Sequence, residues 1–490
     1  MRMDPLPETP SSPEPAPAGP TISPRLLLCC VALGLALLAA SLGWAALGRV
    51  PFAGAPPVAA APPAPSLRPA TVEAPAPALV PALIHGRVLD AESGAPLVGA
   101  SLWAGETEVR TDAEGGFTLG PLELPAAVIV KLPGYERRRL ALESAAPTIA
   151  LSRQSIRAAY LTYYGVGDKG IRGRVLDLVA RTELNAVVID VKGDRGLIPY
   201  RTGVRAAVEA GAQGPVMIKD FDALLASLKA RGIYTIARVV AFKDNVLATH
   251  RPDLAIMDTR TDKLWLDSEG LAWLDPFREE AWDYVIAVAK EAALKGFDEI
   301  QFDYARFPTN GRLGTTRYSQ PNTSATRLPA ISAFLAKARR ELGPIGVFLA
   351  ADLFGYTAFN PNDTDIGQRI EELSVHLDYL CPMVYPSGYH LGIPGYRKSV
   401  EHPYEIVRES VRLIRQRSQN SAAVVRPWLQ DFRDYAFDKR PFGPREIRAQ
   451  IKGAAEAGAV GWMLWNPRNE YTGEALRPKT TTVSAERSPD

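Results

Sequence analysis

From about residue 155 to residue 472, short apolar runs alternate with segments whose apolar residues recur at helical spacing. The apolar runs are rich in Val, Ile, Tyr and Phe and end near Gly, Pro or Asp, which is typical of β-strands. The sequence therefore predicts eight strands, at 156–164, 185–192, 234–242, 298–307, 346–355, 378–386, 423–432 and 461–467.

The segments between these strands carry helix signals. One helix is predicted to begin with Asp220 as its N-cap and to end before Gly232, and others cover 282–293 and 328–342. Strands joined by crossover helices run parallel, and eight such units close into a barrel. The predicted fold class is therefore α/β, a (β/α)8 TIM barrel over residues 156–472. A doubly wound open sheet is the alternative, although no glycine-rich phosphate loop follows the first strand.

Residues 84–152 follow a different pattern, with short strand-like runs between turn residues and no helical period. The stretch from Asp112 to Gly116 resembles a hairpin turn in which glycine supplies a positive φ. We therefore predict a small all-β sandwich ahead of the barrel.

One long apolar segment lies near the start of the chain. Residues 26–47 carry no charge and are long enough to cross a hydrocarbon core of roughly 30 Å. We predict a single N-terminal transmembrane helix at 26–48, with a disordered tail at 1–25 and a Pro/Ala-rich linker at 49–83; a cleaved secretory signal is the alternative. A signal-anchor of this kind would hold the protein in the cell membrane and place the later domains outside the cytoplasm. Residues 476–490 are polar and predicted to be disordered.

Composition excludes several classes of function. The net charge of +2 gives no basic surface for nucleic acid. The three cysteines, two of them adjacent in the apolar segment, offer the predicted domains no disulfide framework. The five histidines lack the spacing of a metal site, so a metal-dependent deacetylase is not expected and no cofactor is predicted.

Charged and aromatic residues gather at the carboxyl ends of the predicted strands, where parallel barrels hold their active sites. A carboxylate in an apolar strand loses hydration, which is costly unless a partner or a task compensates. A single such aspartate is often a helix cap, but four, on the second, fourth, fifth and seventh strands, favour catalysis. The candidate site residues are Asp190, Lys192, Asp194, Arg238, Asp303, Arg306, Asp352, Tyr385, Trp428, Gln430, Asp431, Trp465 and Asn466.

Two carboxyl groups across a cleft are what glycoside hydrolysis requires. We predict that Asp303 and Asp352 are the catalytic pair and that the other candidates bind the substrate. Asp303 lies near Arg306, whose charge favours an ionised carboxylate and hence a nucleophile or base. Asp352 lies between Ala351 and Leu353, an apolar setting that favours a protonated acid. The sequence leaves the reverse assignment open.

Aromatic residues near the strand ends have two interpretations of equal weight: their faces stack on sugar rings, or they cap the barrel core. The loop 243–276 is long, so we predict that it forms a wall of the substrate cleft. The aromatic residues are Tyr163, Tyr164, Phe242, Trp265, Tyr356, Tyr385, Tyr389, Trp428 and Trp465.

Six motifs in order, NAVVIDVKGDRG, YTIARVVAFKD, WLDP, EIQFDYARFP, ADLFGY and DYLCPMVYPSGY, resemble the putative glycoside hydrolase barrel family. The resemblance covers about residues 156–472 and implies hydrolysis of a glycosidic bond in a poly- or oligosaccharide. The strand positions of Asp303, Asp352 and Asp431 also resemble those of the α-amylase families, except that these families use Glu where this chain has Asp352.

The β segment resembles the carboxypeptidase regulatory-like domain family, which implies a non-catalytic accessory that could contact the bacterial cell envelope. The resemblance rests on Gly86, Asp90, Gly94, Pro96, Gly99, Ala100, Thr111, Asp112, Gly115, Phe117, Pro133, Gly134 and Tyr135.

Two alternatives to a glycosidase stay open. A non-catalytic saccharide-binding or wall-tethering barrel needs the aromatic residues but no acid and base. A Schiff-base aldolase could use Lys192, although pairing of Lys192 with Asp190 is the favoured interpretation and no phosphate site is evident.

Overall fold

The computed structural model describes residues 81–479. The predictions for the N-terminal tail, the transmembrane helix, nearly all of the linker and residues 480–490 lie outside this range. Within it, no helix is both long and apolar enough to cross a bilayer. The first strand begins at Ala82, so the last two residues of the predicted linker belong to the β domain.

Seven strands follow one another in the N-terminal domain: β1 (Ala82–Asp90), β2 (Ser101–Ala104), β3 (Thr107–Arg110), β4 (Gly116–Leu122), β5 (Ala126–Lys131), β6 (Arg138–Leu142) and β7 (Thr148–Leu151). They form two sheets, with the orders β4-β1-β7 and β3-β2-β5-β6. Alternate residues such as Ile84, Val88 and Val130 are buried in one apolar cluster to which both sheets contribute. The segment therefore folds as a β-sandwich.

The predicted hairpin at Asp112–Gly116 is wrong in one respect. The turn forms, with Gly115 at φ +70°, but it joins β3 to β4, which lie in different sheets. The Gly115 carbonyl accepts a hydrogen bond from Val88 N at 2.8 Å, which draws β4 to β1 instead of β3. A Cβ at Gly115 would lie 2.6 Å from the Val88 carbonyl oxygen, so glycine is required here.

The barrel domain contains β8 (Ile156–Leu161), β9 (Ala186–Lys192), β10 (Tyr234–Val240), β11 (Met257–Asp258), β12 (Lys263–Leu264), β13 (Glu299–Asp303), β14 (Thr316–Arg317), β15 (Phe348–Phe354), β16 (Tyr379–Met383), β17 (Val424–Val425), β18 (Trp428–Gln430) and β19 (Gly461–Trp465). Eight parallel strands close in the order β8-β9-β10-β13-β15-β16-β17/β18-β19, and β19 pairs with β8. The predicted barrel is confirmed and the open sheet is excluded. Pro427, which has no N–H to donate, divides the seventh strand into β17 and β18.

The helices surround this sheet. The predicted N-cap is correct, because the Asp220 carboxylate accepts a hydrogen bond from Ala223 N at 2.8 Å. The helices are α1 (Tyr163–Gly167), α2 (Lys169–Arg181), α3 (Arg205–Glu209), α4 (Phe221–Ala230), α5 (Asn245–His250), α6 (Glu279–Lys295), α7 (Ser324–Leu342), α8 (Ile370–Ser374), α9 (Pro403–Arg417) and α10 (Pro444–Glu456), with short 3-10 turns at Pro252–Leu254, Leu313–Thr315, Gly343–Ile345, Gly355–Ala358, Pro386–Gly388, Ser399–Glu401 and Gly473–Ala475.

Strand β13 shows how the barrel separates its two faces. Ile300 and Phe302 point outward into the large cluster packed with the helices. Glu299, Gln301 and Asp303 occupy the opposite face and are all buried. Near the start of the strand, Glu299 forms a fully buried ion pair with Arg426. At the end of the strand, Asp303 pairs with Arg238. Both inward carboxylates of β13 therefore have a partner, as burial of a charge requires.

The β-sandwich packs against the amino-terminal end of the barrel. Lys131 of β5 places its ammonium 2.7 Å from Asp378 Oδ2 and donates to the Val347 carbonyl oxygen at 2.6 Å. Trp103 packs on Gly343, where even a Cβ would meet the indole at 2.3 Å. The carboxyl-terminal end of the barrel, opposite this contact, is where the candidate residues lie.

Candidate active site

Arg238 is the centre of the charged cluster inside the barrel mouth. Its Nη1 donates to Asp190 Oδ1 at 2.7 Å, and its Nε and Nη2 donate to Asp303 Oδ2 at 2.9 and 2.5 Å. The guanidinium is only 1% exposed. The two carboxylates hold the pKa of Arg238 well above its usual value although burial opposes the charge. Arg238 thus joins aspartates from the two strands on either side of its own, β9 and β13.

The Asp190 carboxylate is held from its other side. Tyr160 OH donates to Asp190 Oδ2 at 2.6 Å, and the Tyr163 amide donates to the same oxygen at 3.1 Å. Burial raises the pKa of Asp190, and the charge of Arg238 opposes this shift. Asp194, which is half-buried, lies 3.9 Å from Arg238 Nη1. Asp190 is therefore a fixed anchor for Arg238.

Asp352 has a different environment from Asp303. Its Oδ1 accepts a hydrogen bond from Trp428 Nε1 at 2.6 Å, and no donor among residues 81–479 bonds its Oδ2. Burial, followed by the negative charge of Asp303, raises the pKa of Asp352 well above its usual value. Asp303 has a guanidinium beside it, whereas Asp352 has only a neutral indole N–H. The two carboxyl groups therefore have unlike hydrogen-bond partners.

Both carboxyl groups open into a cavity of about 650 Å³ at the barrel mouth. This volume is in the range of ligand-binding pockets, roughly 300 to 1,000 Å³. Of the candidate residues, the cavity brings together Asp194, Arg238, Asp303, Asp352, Tyr385, Trp428, Trp465 and Asn466.

Aromatic rings form much of the cavity wall. Trp465 stacks on Tyr160 with ring centroids 4.1 Å apart and lies edge-on to Trp428 at 5.4 Å. Tyr385 lies edge-on to Phe432 at 5.4 Å, and burial raises the Tyr385 pKa well above its usual value. These rings give the cavity flat apolar faces around a charged centre.

The structure does not bring Arg306 or Lys192 into the cavity. Arg306 packs over Trp273 and Tyr304 and donates to the Phe307 carbonyl oxygen. The predicted partner of Asp303 was therefore wrong, because Arg238 from the adjacent strand takes that place. Lys192 pairs with Asp244 at 2.7 Å and not with Asp190.

Gln430 and Asp431 also make their contacts outside the cavity. Gln430 Nε2 donates to Ser387 Oγ at 2.8 Å and fixes the loop after β16. Asp431 accepts two hydrogen bonds from Thr472, at 3.0 Å from the amide and 2.8 Å from the hydroxyl. Burial raises the pKa of Asp431 to about 6. Asn466, in contrast, lines the cavity and donates to the carbonyl oxygens of Asp431 and Glu470.

The interpretation that aromatic residues cap the core holds for part of the predicted set. Phe242, Trp265 and Tyr389 are almost fully buried and line no part of the cavity. The loop 243–276 also contributes no residue to the cavity wall, and its Trp273 is buried against Tyr304. This loop is therefore not a wall of the cavity, because its aromatic residues pack into the core beside it.

Sequence reasoning missed several residues of the site. Tyr160 points into the barrel below Trp465, and period-two alternation in its strand could have revealed this. In the sequence, Tyr304 continues the apolar alternation of Ile300 and Phe302, which predicts an outward side chain, but its φ of +50° breaks the alternation and turns it into the cavity. Phe432 and Tyr435 come from the loop after β18, where no periodic signal applies.

A closed parallel barrel with two buried carboxyl groups of unlike environment in an aromatic-walled cavity has the architecture of a barrel hydrolase. The family comparison agrees with this class. Residues 158–471 match the DUF4015 family model, described as "Putative glycosyl hydrolase domain", and the chain belongs to this family. No curated protein matches the chain significantly.

Similar solved structures include a hypothetical protein from Ruminiclostridium thermocellum, 38% identical over 40% of this chain and 96% of that chain, with a TM-score of 0.36. The glycoside hydrolase domain of PgaB (BpsB) from Bordetella bronchiseptica is 15% identical over 67% of this chain and 100% of that chain, with a TM-score of 0.49. A GH20 exo-β-N-acetylglucosaminidase from Vibrio harveyi is 13% identical over 67% of this chain and 55% of that chain, with a TM-score of 0.43. Because these TM-scores are low, the fold rests on the strand topology and the class on the family match.

Proposed function

We propose that the barrel hydrolyses a glycosidic bond in a poly- or oligosaccharide, with Asp352 as the general acid and Asp303 as the nucleophile or base. The observation that carries the proposal is the pair of buried carboxyl groups that share one cavity with unlike partners, a guanidinium for Asp303 and an indole N–H for Asp352. Glycoside hydrolysis needs one protonated and one ionised carboxyl group, and their environments must keep them so.

Asp352 is suited to keep its proton near neutral pH. Burial and the negative charge of Asp303 both raise its pKa, and the charge of Arg238 and the Trp428 indole oppose this only in part. Because Trp428 holds Oδ1, the other oxygen, Oδ2, is the atom available to protonate the departing glycosidic oxygen. An acid with a raised pKa is matched to catalysis near neutral pH.

Asp303 is suited to act as the nucleophile or base. Two N–H groups of Arg238 donate to its Oδ2, and the Tyr304 amide donates to its Oδ1 at 2.6 Å. These donors stabilise negative charge and fix the direction of the carboxylate. Asp303 then attacks the anomeric carbon or activates a water molecule.

The Tyr160–Asp190 pair supports catalysis through Arg238. Tyr160 and Asp190 fix the guanidinium, and the guanidinium fixes Asp303, so each contact limits the movement of the next. Positioning of this kind matters because small displacements of a reacting group are costly in rate. The rings of Trp465 and Tyr385 supply faces for stacking against sugar rings.

The test measures release of reducing sugar from bacterial cell-wall and exopolysaccharide substrates by the full chain. Asp303→Asn and Asp352→Asn should each lower the rate at least about 100-fold, the usual size of an acid or base contribution. Urea unfolding of each variant shows whether the fold is retained.

The chain offers a matched control for each variant. Asp363 is buried and accepts hydrogen bonds from Nε and Nη2 of one arginine, as Asp303 does. Asp267 is buried and accepts the Trp273 indole N–H at 3.0 Å, as Asp352 accepts that of Trp428. Neither control lines the cavity, so Asp363→Asn and Asp267→Asn should remain active wherever they fold.

Wild-type rates in folded Asp303→Asn or Asp352→Asn protein would refute the proposed pair. Absence of hydrolysis on every substrate, with saccharide binding unchanged by Asp303→Asn, would favour the non-catalytic saccharide-binding alternative.

We also propose that residues 26–48 anchor the enzyme in the cell membrane, with the domains from residue 82 onward outside the cytoplasm. The uncharged apolar run supports this, and the similarity of residues 84–152 to carboxypeptidase regulatory-like domains supports an accessory role for the sandwich at the envelope. Deleting residues 1–48 should move the protein from the membrane fraction to the soluble fraction. Retention of the shortened protein in membranes would contradict the anchor.

A further inference from the structure

We propose that a smaller pocket beside the main cavity binds a further sugar of the same chain, beyond those held in the main cavity, so that the substrate is a linear saccharide that spans both pockets. The inference rests on the proposed function, because it takes the bond near Asp303 and Asp352 as the point of cleavage. It adds that the substrate is a saccharide chain and not a single terminal sugar, and it adds a subsite that holds part of this chain.

The smaller pocket has a volume of about 240 Å³ and lies over the ends of β8 and β9. This is below the roughly 300 Å³ at which pockets for larger ligands begin, which suits a single sugar unit. Three residues, Asp194, Trp465 and Pro467, line both this pocket and the main cavity. The two spaces are therefore neighbours with one shared wall, and a chain can pass from one to the other across Trp465.

Exposed aromatic rings mark both sides of the shared wall. Tyr164 lines the smaller pocket and is 62% exposed, although it lies edge-on to the buried Tyr163 at 5.0 Å. Tyr435 lines the main cavity and is 56% exposed, with its ring parallel to that of Phe432. Tyrosine and tryptophan rings that keep one face in water are suited to stacking on ligands.

Strand order places these two rings on different sides of Trp465. Tyr164 follows β8 and Tyr435 follows β18, while β19, which carries Trp465, pairs with both strands. Tyr164 and Trp465 both line the smaller pocket, and Trp465 and Tyr435 both line the main cavity. A surface of this kind fits consecutive sugars of one chain, each with an apolar ring face and a polar edge.

The polar groups of the smaller pocket suit the hydroxyl groups of a sugar. Thr162, Asp194 and Arg195 line it, and Arg195 is exposed at its rim. Asp194 offers a carboxylate that accepts hydroxyl hydrogens, and Arg195 offers donors. A small number of polar groups among apolar walls is typical of sites that fix the orientation of a polar ligand.

The structure also shows how to block this pocket alone. A Cβ on Gly193 would meet its nearest neighbours, Asp190 Oδ2 and Tyr163 Cβ, at 3.9 Å, which is ordinary contact. Gly193 has no positive φ, and its amide bonds the Leu197 carbonyl oxygen, a bond that any residue but proline retains. The backbone therefore accepts a Cβ at Gly193, so we expect Gly193→Leu to narrow the pocket, and Tyr164→Ala removes its exposed ring.

The experiment measures binding to a glycan array that carries linear oligomers of glucose, galactose, mannose and N-acetylglucosamine, each at two and six sugars. The full chain with Asp352→Asn is used so that bound oligomers are not cleaved. We expect at least one six-sugar oligomer to bind about tenfold more tightly than its two-sugar form, equivalent to ~1.4 kcal/mol. Adding Gly193→Leu or Tyr164→Ala should remove this gain and leave two-sugar binding unchanged.

Gly314→Leu and Tyr404→Ala are the matched controls, because an added Cβ at Gly314 meets nothing within 4 Å and Tyr404 lines neither pocket. Equal binding of two- and six-sugar oligomers would overturn the proposal. A length gain that survives both Gly193→Leu and Tyr164→Ala would also overturn it. Neither result bears on bond cleavage, which the reducing-sugar assay tests separately.

Discussion

Replacing Lys131 with methionine removes the ammonium group that joins the β-sandwich to the barrel. Methionine has nearly the same length and keeps the apolar packing of the lysine stem. In the native protein the ammonium contacts Asp378 at 2.7 Å and the Val347 carbonyl oxygen at 2.6 Å. Burial lowers the pKa of Lys131, and the charge of Asp378 opposes that shift.

The expected cost follows from the contacts that remain. Removing one partner of a buried ion pair typically costs ~3–5 kcal/mol, because the other charge is left uncompensated. Asp378 keeps a hydrogen bond from the Leu349 amide at 2.8 Å and lies 3.6 Å from Arg339 Nη1. We therefore expect the free energy of unfolding to fall by about 3 kcal/mol, at the lower end of the range.

Urea unfolding followed by tryptophan fluorescence measures this change. Lys452→Met is the matched control, because the Lys452–Glu456 pair has side chains 67% and 48% exposed. Loss of such a surface pair should cost at most about 1 kcal/mol. The double variant Lys131→Met with Asp378→Asn should recover most of the lost stability, because neither buried charge remains.

Two results would refute this reasoning. One is a loss below about 1 kcal/mol in Lys131→Met, no more than a surface pair contributes. The other is two separate unfolding transitions in the wild type, since the contact then could not couple the sandwich to the barrel.

Three further predictions concern the barrel mouth. The pKa of Asp431 is about 6 in the folded protein, above the usual 3.8, so its ionisation opposes folding as pH rises through this window. Asp431→Asn should therefore be more stable than wild type at pH 8 by on the order of 3 kcal/mol, at ~1.36 kcal/mol per pKa unit. In urea titrations this difference should shrink as pH falls and vanish below about pH 3, where the carboxyl group is protonated in both states. Arg238→Lys should lower kcat/KM at least about 100-fold, because one ammonium cannot replace three directed N–H groups. A smaller loss would mean that Arg238 is not needed to position Asp303. Trp428→Phe removes the N–H that stabilises ionised Asp352, so the alkaline limb of the pH profile of kcat/KM should move to higher pH. An alkaline limb at the wild-type pH would contradict the acid role of Asp352.

The barrel could be predicted because its signals are local. Each of the eight parallel strands is a short run with its own apolar pattern, and each crossover helix carries its own period. The ends of the strands were less certain. The run 156–164 becomes helical at Tyr163, because Thr162 caps a new helix by accepting a hydrogen bond from Gly165 N at 2.9 Å.

The candidate site was predictable only in part. Asp303 and Asp352 were chosen for their position at strand ends, and both lie in the cavity. The partner of Asp303 was wrong because Arg306 is close to it in sequence, whereas Arg238 is close to it across the sheet. Register between β10 and β13 decides that contact, and no local pattern encodes register between distant strands.

The sequence by itself determined the order of strands and helices and the end of the barrel at which the carboxylates gather, since periodicity and chain direction are properties of neighbouring residues. Only the tertiary structure decided that Arg238 joins Asp190 to Asp303, that Trp428 holds Asp352, and that Lys192 belongs to another cluster. These contacts join residues from separate strands whose alignment is set by barrel closure. Barrel closure therefore decides which partners each of the two carboxyl groups has.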